Sequence, residues 1–328
     1  VHLDTQVSQV SSSPCPRLPA WLGQRRQGMA WRSCEPAAGV VYSDPRASRE
    51  ELHSGSGSST SHDPVRAMAN ATIRFDDGAS YERMMGRWSV LVGARFLDWI
   101  GVPDGARWLD VGCGNGAFTE LLVQRCRPAS VQAFDTSAAQ LDYACKRLPA
   151  DAPVTWTEGD AMRLPVADGA ADAAVMALVL FFVPEPAVGV AEMCRAVRPG
   201  GVVAAYHWDV LGGGFPLADI VAAMIDLGVP PRVPPSVAAS TIDASASLWQ
   251  AAGLRQVRTC QVTVRRHFES FDDYWDSAAP SNTLRPMFEE MTAERRELLK
   301  ANVRRRLHAG DGPLSVGARA NAVCGVKP

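Results

Sequence analysis

The sequence predicts an α/β protein built on a doubly wound, mostly parallel seven-stranded sheet with an antiparallel last strand. Three observations predict it. Short apolar runs alternate with helical periodicities between residues 106 and 209. The first run leads into WLDVGCGNGAF (108–118), a strand-to-helix turn with three glycines at alternate positions. After Trp208 the alternation stops, and two later stretches, 255–268 and 313–326, alternate like a hairpin-like pair of strands closing the sheet edge.

The elements follow in order. YERMMGRWSVLVGARFLDWI places Met84, Trp88, Leu91, Val92, Phe96 and Ile100 at the spacing of an amphipathic helix. ARWLDV (106–111) is a buried strand and AFTELLVQRC (117–126) a helix. SVQAFD (130–135) is the second strand. Ser137 and Gln140 form a capping box for the next helix, continued by Leu141, Ala144, Cys145 and Leu148. VTWTEGD (154–160) and AADAAVMALVL (170–180) are the third and fourth strands. A helix over 187–197 ends at RPGG (198–201), and VVAAYHWD (202–209) is the fifth strand. Residues 212–236 form a Gly- and Pro-bounded insertion with one short helix. Helices are expected at 247–254, near 271–278 and at 292–308, between the two late strands.

Bulk properties narrow the function. A chain of 328 residues with 47% hydrophobic and 21% charged residues can bury a substantial core. A net charge of −2 supplies no basic field for nucleic acid or anionic membrane. The eight cysteines form no C-x-x-C pair and no zinc spacing, so they read as reduced thiols of a cytoplasmic protein, and no metal site is expected. The longest apolar run, 173–183, is too short to cross a bilayer, and no secretory signal is apparent. Residues 1–67 lack any period and are expected to be disordered, the plainer reading being that translation starts at Met68. Residues 68–328 are expected to form the domain, with a core over about 104–209 and a lid and substrate region over about 210–253.

A ligand in such a sheet sits at the carboxyl ends of the strands, beside the glycine loop. Glycines there admit positive φ and let a ligand lie on backbone. The letters fit G-x-G-x-x-A, which suits a nicotinamide dinucleotide, and equally D-x-G-x-G-x-G. Three acids discriminate. Asp110 at the first strand tip can face a cationic amino group and would sit badly beside a pyrophosphate. Asp135 ends the second strand, where a carboxylate can accept ribose hydroxyls in either reading. Asp160 ends the third strand, where it can accept from an exocyclic amine. Together they point to a nucleoside carrying an amino acid and no phosphate, the shape of S-adenosylmethionine.

WLDVGCGNG, AFDTS, EGDA with the following LP, and VRPGG, in this order, resemble a class I S-adenosylmethionine-dependent methyltransferase of the small-molecule (type 11, UbiE-like) group, over roughly residues 75–326. The resemblance implies a Rossmann-like sheet and S-adenosyl-L-methionine as cofactor. It implies that Asp110, Gly112, Gly114 and Gly116 hold the methionine and ribose end, Asp135 the ribose, Thr136 an adenine face, and Asp160 with Ala161 the adenine edge. Leu178 would line the site near the sulfonium. On the acceptor side His207 is the candidate general base. Tyr206, Phe181, Phe182 and Trp208 are candidate pocket residues, with Tyr81, Arg87 and Trp88 on the capping helix. No [DN]-P-P-[YFW] follows the fourth strand, so DNA-base amines are not expected acceptors. The expected partner is a small molecule methylated at O, C or N by a monomer or homodimer. The alternatives are an NAD(P)-dependent oxidoreductase and a non-catalytic S-adenosylmethionine-binding protein.

Overall fold

The computed structural model describes residues 85–231, 233–279, 281 and 284–328; the expectations for residues 1–67 and for Tyr81 lie outside them. Its sheet has seven strands in the order β3-β2-β1-β4-β5-β7-β6. The strands are β1 (Arg107–Val111), β2 (Ser130–Asp135), β3 (Val154–Glu158), β4 (Ala171–Ala177), β5 (Val197–Trp208), β6 (Arg255–Phe268) and β7 (Leu314–Val326). The first five pair in parallel, whereas β7 runs antiparallel to both β5 and β6. The doubly wound sheet with an antiparallel last strand is therefore as expected.

The helices are α1 (Arg87–Ile100), α2 (Ala117–Cys126), α3 (Ala138–Ala144), α4 (Pro186–Ala196), α5 (Ala218–Asp226), α6 (Ile242–Ala251), α7 (Phe271–Ala278), α8 (Arg285–Glu289) and α9 (Ala293–Arg306). Strand residues alternate between two apolar layers. Trp108, Val175, Ala204, Tyr206 and Trp208 face the layer that holds Phe96 of α1 and Phe118 of α2. Leu109, Ala174, Met176, Val203 and Ala205 face the layer that holds Val190 of α4 and Trp249 of α6. Ser137 caps α3 as its sequence signature predicts, accepting from Gln140 N at 3.3 Å.

Several boundaries differ for physical reasons. RPGG does not stop the chain: β5 already begins at Val197, and its register against β4 shifts between Ala171 and Ala173. Gly200 takes φ +78° there, and a Cβ on Gly201 would run into Val197 and the Asp172 carbonyl. The glycines thus make a bulge inside the strand. β4 ends at Ala177, and Leu180–Phe182 form a 3-10 turn in place of the expected strand end. Leu91 is 39% exposed and lies off the buried face of α1. Thr241 caps α6, accepting from Ala244 N at 3.3 Å, so this helix starts earlier than its apolar residues suggest. α8 was not foreseen, being only five residues long.

α6 is fastened to the sheet by Trp249, which is fully buried and donates from Nε1 to Val203 O at 2.8 Å. Residues 242–251 thus pack through Trp249 into the layer that holds Val190 of α4. Trp249→Ala is expected to lower unfolding free energy by about 3–5 kcal/mol, through lost packing and a stranded carbonyl. An unchanged denaturant midpoint would refute that anchor role.

Candidate active site

The loop after β1 is shaped by the end of β2. Gly112 N and Cys113 N both donate to Phe134 O at 2.8 Å, and Gly114 N donates to Asp135 Oδ2 at 2.8 Å. The glycines serve two purposes. Gly112 and Gly116 have φ +79° and +80°, and a Cβ on them would meet the Val179 methyls at 2.5 Å or Ala144 and Trp156 at 2.9 Å. They permit close packing behind the loop. Gly114, at φ +52°, would meet nothing within 4 Å, so its open side is where a ligand can lie.

Asp110 is fully buried on the α1–α2 face, and Thr119 Oγ1 of α2 donates to its Oδ2 at 2.6 Å. Its Oδ1 has no hydrogen-bond partner. Burial chiefly, with Asp135 nearby, pushes this carboxyl up to about 7. Asp135 is likewise raised by burial, and also accepts from Ser137 N at 2.9 Å. Gly159 N donates to Asp135 O at 3.0 Å, tying the β3 end to the β2 end. Beyond it Asp160 is exposed and accepts from Met162 N at 2.8 Å, with Ala161 half-buried next to it. Thr136 is exposed beside Asp135. Asp110, Asp135 and Asp160 thus stand on three neighbouring strand tips around the loop. Leu178 completes this edge in a left-handed conformation, φ 65°, its N–H donating to Tyr206 O at 2.8 Å. A non-glycine residue held there is locally strained. The Cys113 thiol is pushed far up by burial and the two carboxylates, so it stays protonated and is no nucleophile.

The acceptor-side candidates divide between the two faces of the sheet. Tyr206, Trp208 and Trp88 are buried on the Asp110 face, Tyr206 with ring centroids 4.8 Å from Phe96 and 5.8 Å from Phe118. Arg87 is exposed at the start of α1. His207 points to the other face and is fully buried, its Nε2 2.9 Å from Ser245 Oγ of α6. Phe181 is buried with its ring edge-on to His207 at 6.3 Å, and Phe182, less buried, lies 4.5 Å from Phe181. Burial holds the His207 imidazole down at about 4, hence neutral. Neither Phe181 nor Phe182 ends a strand; both belong to the 3-10 turn. Sequence reasoning missed Thr119 and Val179, which fix Asp110 and Gly112; the available signal for Thr119 was a polar residue on the inward side of an apolar first helical turn.

The sheet order, the glycine loop and the acid-tipped strands are the features that comparison with known proteins can test. Residues 109–205 match the family model described as a methyltransferase domain. Over 134 residues the chain is 32% identical to the malonyl-[acyl-carrier protein] O-methyltransferase of Methylococcus capsulatus, covering 41% of this chain and 47% of that protein. Over 128 residues it is 35% identical to the demethylmenaquinone methyltransferase of Renibacterium salmoninarum, covering 38% and 50%. The chain thus spans about half the length of these curated relatives. Among solved structures, phosphoethanolamine N-methyltransferase 2 of Haemonchus contortus superposes with TM-score 0.51 at 17% identity, over 80% of this chain and 60% of that one. That likeness establishes a shared fold.

Two predictions follow from the geometry. Gly116→Ala should destabilise by about 2–3 kcal/mol, and Gly114→Ala by about 1 kcal/mol, since only the former adds a clash to the positive-φ strain. Equal losses in chemical denaturation would contradict the division of roles. The second concerns pH. His207, depressed to about 4, contributes stability above its unfolded value near 6.5 that is lost as pH falls toward 4, roughly 3 kcal/mol at most. Asp110, raised to about 7, contributes stability below its unfolded value near 3.8 that is lost as pH rises through 7. The two oppose each other in wild type. His207→Gln should therefore gain stability relative to wild type between pH 6.5 and 4, and Asp110→Asn should gain from pH 4 to 7. Flat difference curves for both variants would contradict these assignments.

Proposed function

We propose that the chain is an S-adenosylmethionine-dependent methyltransferase that transfers a methyl group to a small-molecule acceptor at O, C or N. The observation that carries this is Asp110. A buried carboxylate with one bare oxygen, beside a second carboxylate, suits a cationic ammonium and repels a pyrophosphate, which weighs against the dinucleotide alternative. The open side of Gly114 fits the same ligand.

In this reading Asp110 would hold the cofactor's ammonium, Asp135 its ribose hydroxyls, Thr136 an adenine face and Asp160 with Ala161 the adenine edge, while Leu178 would line the site near the sulfonium. When bound, the cofactor supplies the electrophilic methyl group, and the protein's task is to align an acceptor in line and exclude water. His207 is enclosed and engaged with Ser245, so the reading assigns it packing rather than proton transfer. Residues 210–240 are proposed to cover the acceptor. Among the described residues no helix is long and apolar enough to cross a membrane. The proposal extends to a cytoplasmic monomer or homodimer acting on a free small molecule, without nucleic acid.

Asp135→Ala is expected to weaken S-adenosylhomocysteine binding by about 1.5–3 kcal/mol. Calorimetry would read this, and unchanged affinity would remove Asp135 from the site. S-adenosylmethionine binding near pH 6.5 should release a proton as Asp110 ionises against the ammonium, giving different apparent enthalpies in phosphate and Tris. Identical enthalpies would count against Asp110. Methyl release from labelled cofactor across a metabolite library separates an enzyme from a non-catalytic binder.

A further inference from the structure

The glycine loop is held from two sides by side chains of opposite charge type. The Asp135 carboxylate takes the Gly114 N–H at 2.8 Å, and Arg147 Nε donates to the Asn115 carbonyl at 2.6 Å. The Gly114–Asn115 pair is therefore gripped at both ends, by an acid at its leading amide and by a guanidinium at its trailing carbonyl. Bonds of this kind are the stronger ones a backbone can make.

Arg147 comes from the turn that follows α3. Its Nη1 donates to Glu120 Oε2 of α2 at 3.0 Å, and its guanidinium lies 5.6 Å from the Tyr143 ring. Its side chain is only 14% exposed, so these bonds are largely shielded from water. At the other end of α3, Ser137 N donates to Asp135 Oδ1 at 2.9 Å. A closed circuit results. Asp135 holds Gly114 and the start of α3, and the end of α3 returns through Arg147 to Asn115. The helix is a strut that sets how far the loop stands from Asp135. It also presses on Gly116, where an added Cβ would come 2.9 Å from the Ala144 Cβ. An arginine that only joined α3 to α2 would spend its donors on Glu120, yet here Nε goes to the loop. Asn115 is buried, so a loop carbonyl deprived of this donor is poorly placed to find water.

Resting on the methyltransferase reading, we propose that Arg147 is a positioning residue for the cofactor: through the Asn115 carbonyl it keeps Gly114 in the conformation whose open side receives the ligand, so the loop is formed before the ligand arrives. The role requires no contact between Arg147 and the ligand. A lysine at this position can reach one of the two acceptors but cannot fork between them.

The test compares the full chain with Arg147→Met and Arg147→Lys. It reads amide hydrogen exchange in the ligand-free proteins and S-adenosylhomocysteine affinity by calorimetry. In Arg147→Met the amides of residues 112–117 should exchange about ten-fold faster, while those of β4 keep the wild-type rate. Affinity should fall about ten-fold, with Arg147→Lys between the two. A merely structural role would lower melting and speed exchange throughout the fold, without moving affinity measured well below the melting temperature. The proposal is overturned if the loop amides of Arg147→Met exchange at the wild-type rate, if affinity is unchanged, or if exchange rises equally in β4. If wild type itself does not bind S-adenosylhomocysteine, the cofactor reading fails, and the exchange result alone decides whether Arg147 holds the loop.

Discussion

The loop after β1 owes its shape to the Phe134 carbonyl. Two successive loop N–H groups converge on that one oxygen, and the next residue of β2, Asp135, takes the N–H of Gly114. A chain that turns this way must leave the plane of the sheet at once, which requires positive φ at Gly112 and at Gly116, where α2 begins. The first turn of α2 then lies over the β1 tip, and Thr119 reaches Asp110. Loop, acid and helix are therefore one construction, set by the parallel pairing of β1 with β2.

Ionisable groups are buried on both faces of the sheet, and they are held neutral by the same cause. Desolvation raises Asp110 and lowers His207. Each is completed by the protein on one side only. His207 has Ser245 against Nε2 and an aromatic ring beside it, with no partner on Nδ1. Asp110 has Thr119 on Oδ2 and no partner on Oδ1. What separates them is their place: Asp110 stands at a strand tip beside the glycine loop, and His207 lies beneath α6.

Much of this was legible in the sequence because it is written in local signals. The apolar runs of β1, β2 and β4, the Ser137 cap and the alternation of β6 each depend on near neighbours. What was not legible has a different origin. RPGG reads as a turn, and only the pairing of β5 with β4 reveals that its glycines relieve contact with Val197 and Asp172. His207 reads as a base at a strand mouth, and only α6 lying over the sheet shows that it is enclosed. Leu91 has the right spacing for the core but falls off the edge of the buried stripe of α1. Each depends on a partner distant in sequence, which periodicity does not encode.

The strand tips around the glycine loop and the longest strand pair stand at opposite ends of one sheet. The acid-tipped strands β1, β2 and β3 lie on one side, the long β6–β7 hairpin on the other, with β4 and β5 between them. The family match runs from β1 into β5 and stops before the hairpin. A change of side chain on the β6–β7 pair reaches the glycine loop through two intervening strands, or through α1, which touches β6 on one side and α2 on the other. Such an architecture lets the β6–β7 edge be rebuilt without disturbing the β1–β2 pairing that shapes the loop.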